Sequence, residues 1–317
     1  MGDKIHIFLF YKFQEIKDPG WFVRKHKRFC GELGVLGKVL VAREGVNGSI
    51  SGNKEQVEKY KEFLGNFPGF SDVIFKEELG TSHPFKKMIV KVREEIVSLH
   101  KDVDMTKKGK YVSPKEFLKL YDNNDEIIIL DARNDYEYKL GRFKNALNPD
   151  IKTFRQFPEF VKKFKKENGN DVKKKKIVMY CTGGIRCEKA SAYMEDQGFE
   201  NVYQLEGGII NFCQQLPNTA WEGKCFVFDK RLMTNINQNN EAISECVSCN
   251  KISDLQRNCK YFECDALVVQ CIECQEKLHK CCSKECMHKF LKYARERSKG
   301  KKDGTWKTVE VVQEYKI

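Results

Sequence analysis

The residues best suited to chemistry stand in one run, Cys181-Thr182-Gly183-Gly184-Ile185-Arg186-Cys187, directly after the apolar stretch Lys176 to Tyr180. A cysteine at the carboxyl end of a buried parallel strand lies where open α/β sheets bind their ligands. Gly183 and Gly184 let the chain curl without a Cβ penalty, so successive backbone N–H groups can converge on one anion. A helix after the loop adds the positive end of its dipole, and Arg186 adds a full charge. All three favour thiolate over thiol, which makes Cys181 a candidate activated nucleophile and Arg186 its anion-stabilising neighbour. The bland alternative is an inert buried cysteine on a glycine-rich turn. Only Thr182 to Ile185 separate Cys181 from Arg186. Cysteine phosphatases have a longer loop there, so this ring suits a sulfane sulfur better than a phosphoryl group. Cys187 has two readings, as the thiol that resolves a persulfide or as packing under the loop.

A second thiol-rich place lies downstream, with nine of the 14 cysteines between Cys246 and Cys286. The spacing is Cys246-x2-Cys249, Cys259-x4-Cys264, Cys271-x2-Cys274, then Cys281-Cys282-x3-Cys286. Paired thiolates in a tight turn can bite one tetrahedral ion, and two pairs close a structural zinc site. If the pairs alternate, Cys246, Cys249, Cys271 and Cys274 share one ion. Cys259, Cys264, Cys282 and Cys286 share the other, with Cys281 as the alternative to Cys282. His279 and His288 are possible substitutes whose plainer reading is as surface side chains. The reading without metal is a small core of reduced thiols. A segment this small buries too little apolar surface to fold unaided, and bound metal would supply the difference.

These groups need elements to position them. Residues 1–95 alternate apolar runs with amphipathic stretches: Lys4 to Phe13, Gly37 to Ala42, Asn47 to Ser51 and Val73 to Lys76 read as strands, Trp21 to Leu33 and Lys54 to Leu64 as helices. Asn53 and Gln56 are placed as a reciprocal N-terminal cap. This order predicts a ferredoxin-like, acylphosphatase-like α+β domain with Glu44 to Gly48 as the turn of its central hairpin. Residues 96–115, rich in lysine, read as a linker. Over 116–220, after a helix opened by Ser113-Pro114, the runs Glu126 to Leu130, Lys176 to Tyr180 and Asn201 to Leu205 predict a parallel sheet with helices on both faces. The helix after the reactive loop is expected from Glu188 to Gln197. Residues 221–290 form the cysteine-rich module and 291–317 a basic tail.

Composition sets outer limits. The 317 residues carry 57 basic and 45 acidic side chains, a difference of +12, which suits a polyanionic partner without requiring one. No apolar run approaches the roughly 20 residues of a membrane span, the amino terminus does not read as a secretory signal, and a cytosolic protein is expected. Thiols in such a compartment are metal ligands or catalysts more often than disulfides. Cys30, Cys213 and Cys225 read as core fillers. The sequence carries no dinucleotide fingerprint, HExxH or phosphate-binding GK[ST] motif, and its one H-x-[DE] pair is His100-Lys101-Asp102.

The loop Cys181 to Cys187 resembles the active-site loop of rhodanese domains. Asp131-Ala132-Arg133 resembles the Asp-x-Arg that ends their first strand, and Val202 to Gly208 their closing strand and turn. More widely, Val41-Ala42-Arg43-Glu44-Gly45-Val46-Asn47-Gly48, Phe85 to Val97, Leu130 to Glu137, Cys181 to Met194, Trp221 to Asp229 and the cysteine tail together resemble the tRNA uridine(34) hydroxylase family, over about residues 5 to 290. The resemblance implies an oxidoreductase that uses molecular oxygen to hydroxylate C5 of the wobble uridine, with the tRNA anticodon loop as partner and Cys181 as the catalytic cysteine. From spacing and electrostatics alone, a persulfide sulfurtransferase acting on RNA or a protein acceptor is the expectation.

Overall fold

The computed structural model describes residues 4–123, 127–234 and 241–302; the tail from residue 303, and Glu126 of the expected strand, lie outside these. The chain forms two compact units, Met1–Glu241 and Ala242–Ile317.

The first unit begins with β1 (Ile5–Phe13), α1 (Pro19–Leu33), β2 (Leu36–Ala42), β3 (Gly45–Gly52), α2 (Lys54–Gly65), β4 (Phe75–Gly80) and β5 (Met88–Val92). The sheet order β4-β1-β3-β2 is ferredoxin-like, and β5 extends it in parallel with β2. Asn53 and Gln56 form the expected capping box on α2. Phe8, Phe10, Val39, Val41, Val46 and Ile50 pack on Phe22, Val57, Tyr60 and Leu64 of the two helices.

Two expectations are corrected here. Ala42 pairs with Gly45, so the hairpin turn is Arg43-Glu44, and Gly45 to Gly48 belong to β3. Position 48, within the strand, is glycine because a Cβ there would sit 2.6 Å from the Phe10 ring and 2.9 Å from Val39. Residues 96–115 are not a free linker either. Ile96 and Leu99 are buried, and β6 (Lys110–Val112) pairs with the central sheet. Its flanking lysines mask a short edge strand.

The central region continues with α3 (Pro114–Asp122), β7 (Ile127–Asp131), α4 (Asp135–Leu140), β8 (Gly141–Phe143), α5 (Phe157–Asn168), β9 (Lys176–Tyr180), α6 (Ile185–Asp196), β10 (Val202–Leu205) and α7 (Gly208–Gln215). Strands β6-β10-β9-β7 form a parallel sheet covered on both faces. Phe157, Val161, Ala190 and Met194 pack on one side, Phe117, Phe143, Ile209 and Phe212 on the other.

The unit also includes β11 (Trp221–Gly223), β12 (Cys225–Phe226) and β13 (Met233–Thr234). Strand β11 pairs with β8, and Trp221 packs edge-on against Phe143 and Tyr180, so the stretch expected to open the cysteine module belongs to the preceding core. Cys30, Cys213 and Cys225 are buried, as core fillers should be.

The second unit holds a hairpin of β14 (Gln256–Asn258) and β15 (Leu267–Val269), then α8 (Ile272–Lys277) and α9 (Lys284–Lys302). Helix α9 takes in the described part of the basic tail. Among the described residues no helix is long and apolar enough to cross a membrane.

Candidate active site

Strand β9 ends at Tyr180 and delivers Cys181 to a four-residue loop before α6. The helix begins three residues earlier than expected, because Gly184 takes the left-handed conformation (φ 102°) and turns the chain directly into it. Arg186 and Cys187 therefore lie in the first turn, where unpaired N–H groups point back at the loop. Cys181 Sγ accepts from Gly184 N at 3.1 Å. Burial raises the Cys181 thiol, but the Cys187 thiol, the Arg186 charge and the Cys187 and Arg186 backbone N–H groups outweigh it and bring the group down to about 5. At neutral pH Cys181 is a thiolate. The Cys187 thiol is pushed up, first by burial and then by its bond to Cys181, so it stays protonated and donates.

The loop is held from below by the closing turn. Ile209 N donates to Cys181 O at 3.0 Å, and Ile210 N to Thr182 O at 3.2 Å. Gly208, at φ +68°, is required there because a Cβ would lie 2.4 Å from Cys181 O.

Arg186, expected as the anion-stabilising charge of the loop, is itself held by a carboxylate. Its Nη1 and Nη2 donate to Glu137 Oε2 and Oε1 at 2.6 and 2.8 Å, and Nη2 also reaches Thr182 Oγ1 at 3.3 Å. Glu137 is fully buried; burial pushes its carboxyl up, but Arg186 holds it below the ordinary value. The fork-to-fork geometry fixes the guanidinium beside the loop. Glu137, at the end of the stretch Leu130 to Glu137, is absent from the residues expected at the site, since one glutamate in an amphipathic helix carries no spacing cue. Asp131 and Arg133 brace the neighbouring strand end. Arg133 Nη2 bonds Asp131 Oδ2 and Gly141 O, both at 2.6 Å, and its guanidinium lies 5.1 Å from the Trp221 ring centre.

The Glu44-Gly45-Val46-Asn47 run also has a place. Glu44 Oε1 accepts from Ile96 N at 2.6 Å, and Asn47 Nδ2 donates to Ile96 O at 3.0 Å. Lys189 of α6, itself buried, bonds Glu44 and Glu95 at 2.7 and 2.6 Å. The hairpin thus clamps the helix that carries Arg186.

In the second unit the sulfur atoms fall into two sets, Cys246, Cys249, Cys271 and Cys274, and Cys259, Cys264, Cys282 and Cys286, each with all Sγ atoms within 4.8 Å of one another. This is the alternating pairing, with Cys282 rather than Cys281 in the second set. Cys281 Sγ turns instead toward His279 O, and neither His279 nor His288 joins a set. Sulfur separations of 3.6 Å (Cys249 to Cys271), 3.7 Å (Cys264 to Cys282) and 3.6 Å (Cys282 to Cys286) match the roughly 3.8 Å edge of a tetrahedron with Zn–S bonds of about 2.3 Å. Cys271 stands at the N-cap of α8, and Cys249 N closes a turn onto Cys246 O.

Comparison with known proteins places the parts. Residues 5–96 match the UPF0176 acylphosphatase-like domain, 113–215 the rhodanese-like domain and 222–287 the rhodanese C-terminal model. A protein of Cytophaga hutchinsonii is 43% identical over 283 residues, 88% of this chain and 89% of its own. One of Onion yellows phytoplasma is 45% identical over 242 residues (75% and 77%), and one of Bacillus cytotoxicus 40% identical over 297 (92% and 90%). All three bear the name tRNA uridine(34) hydroxylase.

Proposed function

The chain belongs to the tRNA uridine(34) hydroxylase family, and from that premise we propose that it hydroxylates the wobble uridine of tRNA with Cys181 as its nucleophile. The observation that carries this reading is the buried anionic sulfur at the end of β9, steadied by the N–H groups of α6 and by Cys187. Addition of that thiolate to C6 of a uracil ring forms an S–C6 bond and moves the C5–C6 π electrons onto the C4 carbonyl oxygen. C5, the carbon that must take the hydroxyl, thereby becomes electron-rich, and loss of its proton with cleavage of S–C6 restores the ring. In the proposed reaction one atom of molecular oxygen becomes the C5 hydroxyl and the other leaves as water, which takes two electrons and two protons from an external two-electron reductant. The base lies in the anticodon loop, a single-stranded setting from which it can be drawn out, and the surplus of 12 positive charges favours the polyanion. The two cysteine sets are proposed as structural zinc sites that hold the second unit together.

The short loop also accommodates a persulfide on Cys181, and one experiment separates the two chemistries. Nucleosides of tRNA from cells lacking the gene, complemented with wild type or Cys181→Ala, are analysed by mass spectrometry. Loss of 5-hydroxyuridine derivatives in the variant is expected. Loss of a thiolated base in their stead would turn the reading to sulfur transfer, and an unchanged profile would overturn both.

A further inference from the structure

The reactive loop is covered by a surface that its own domain does not supply. Along β1, side chains alternate between faces: Phe8 and Phe10 enter the core of the first domain, while Leu9 and Tyr11 face the loop. Leu9 Cδ2 lies 2.8 Å from where a Cβ on Gly183 would stand, and Tyr11 Oη 2.8 Å from the same point on Gly184. Lys76 of β4 pairs across the strand with Leu9. Its Nζ donates to Gly183 O at 2.6 Å and lies 5.1 Å from the Tyr11 ring centre.

The charges around Cys181 can be assigned one by one. Arg186, from α6, shares its charge with Glu137 of α4 through two short bonds and, so shared, still lowers the Cys181 thiol. Glu188, also from α6, accepts from Tyr11 at 3.1 Å and Tyr111 at 2.5 Å and lies 3.0 Å from Lys108 Nζ. Cys187 is a neutral donor. The half-buried ammonium of Lys76, in contrast, spends its hydrogen bond on a carbonyl oxygen and makes no ion pair among the described residues. An ammonium drawn out of water needs an anion nearby. The anions that act on it are the sulfur of Cys181, the carboxylate of Glu188, already answered by Lys108, and the carboxylate of Glu206.

We propose that Lys76, on the first domain, is a positioning residue of the reactive loop: it fixes the Gly183 carbonyl and adds a positive charge to those of Arg186 and the loop N–H groups that keep Cys181 anionic. The proposal rests on Cys181 being the reactive group. It gives the first domain a part in the chemistry as well as in fixing the loop.

The test uses the full chain with 13C at cysteine Cβ, the Cys181 resonance being identified by its absence in Cys181→Ser and followed against pH. Lys76→Gln keeps a donor for the Gly183 carbonyl but loses the charge, and it should raise the Cys181 midpoint by about one unit or more. Lys76→Arg should leave it within a few tenths. A rise of one unit still leaves roughly nine-tenths of the sulfur anionic at pH 7, so tRNA modification should fall mainly on the acid side, near pH 5 to 6. If Lys76→Gln does not fold, Lys76→Met with the same comparison to Lys76→Arg takes its place. An unmoved midpoint in the neutral variants, or an equal rise in Lys76→Arg, overturns the proposal. Nucleoside analysis of Cys181→Ala separately decides whether Cys181 is the reactive group, so the two failures are distinct.

Discussion

Replacing Glu137 by glutamine would test how the loop is held. Glu137 is fully buried, and its two oxygens receive the Arg186 guanidinium at 2.6 and 2.8 Å. Glutamine fills the same volume but leaves a guanidinium in a dry site without its carboxylate. Breaking one partner of a buried pair costs about 3 to 5 kcal/mol. The companion Glu137→Gln/Arg186→Met removes both charges and should recover at least half of that loss, since no charge is stranded. Urea unfolding followed through tryptophan fluorescence suits the question, because Trp221 lies 5.2 Å from Phe143 in the same core. The pH dependence gives an independent sign. Arg186 lowers the Glu137 carboxyl, so its contribution is complete above the ordinary value of 4.5 and disappears as pH falls through the lower folded value. Wild type should lose this contribution below about pH 4.5, and the variant should show less of that loss. With Glu137 gone the Arg186 charge is unshared, so the Cys181 midpoint should drop below its value of about 5. A destabilisation under about 1 kcal/mol with an unchanged acid slope would mean that no buried charge had been stranded, and the argument for the brace would fall.

Two further outcomes concern the other cysteines. Cys187→Ala removes a thiol donor to an anion, a bond worth about 1.5 to 3 kcal/mol, so the Cys181 midpoint should rise by roughly one to two units, while Cys187→Ser keeps a donor and should stay near wild type. A resolving thiol predicts otherwise: both variants lose activity alike with the midpoint unmoved. Metal analysis of the purified chain should find two zinc ions, one in Cys249→Ser or Cys282→Ser, and two in Cys281→Ala; a full complement in Cys282→Ser would contradict the ligand set.

What the sequence makes legible here follows distance along the chain. Cys181 to Cys187 is read directly because one loop and one helix turn hold the candidate nucleophile, its donors and the glycines together. The two cysteine sets are read because paired thiols within a few residues leave few ways to close a tetrahedron; only the choice of Cys282 over its neighbour needed coordinates. Glu137 reaches Arg186 across 49 positions and Lys76 reaches Gly183 across 107, and nothing local marks either. One cue was present. An antiparallel strand with helices on one face should alternate apolar with polar, yet Phe8-Leu9-Phe10-Tyr11 does not, and such a strand is covered on both faces. The cover is the reactive loop itself, and Cys181 is fully enclosed beneath it. The contacts that lower the Cys181 thiol therefore also enclose it, with Leu9, Tyr11 and Lys76 closing the side that the first domain faces.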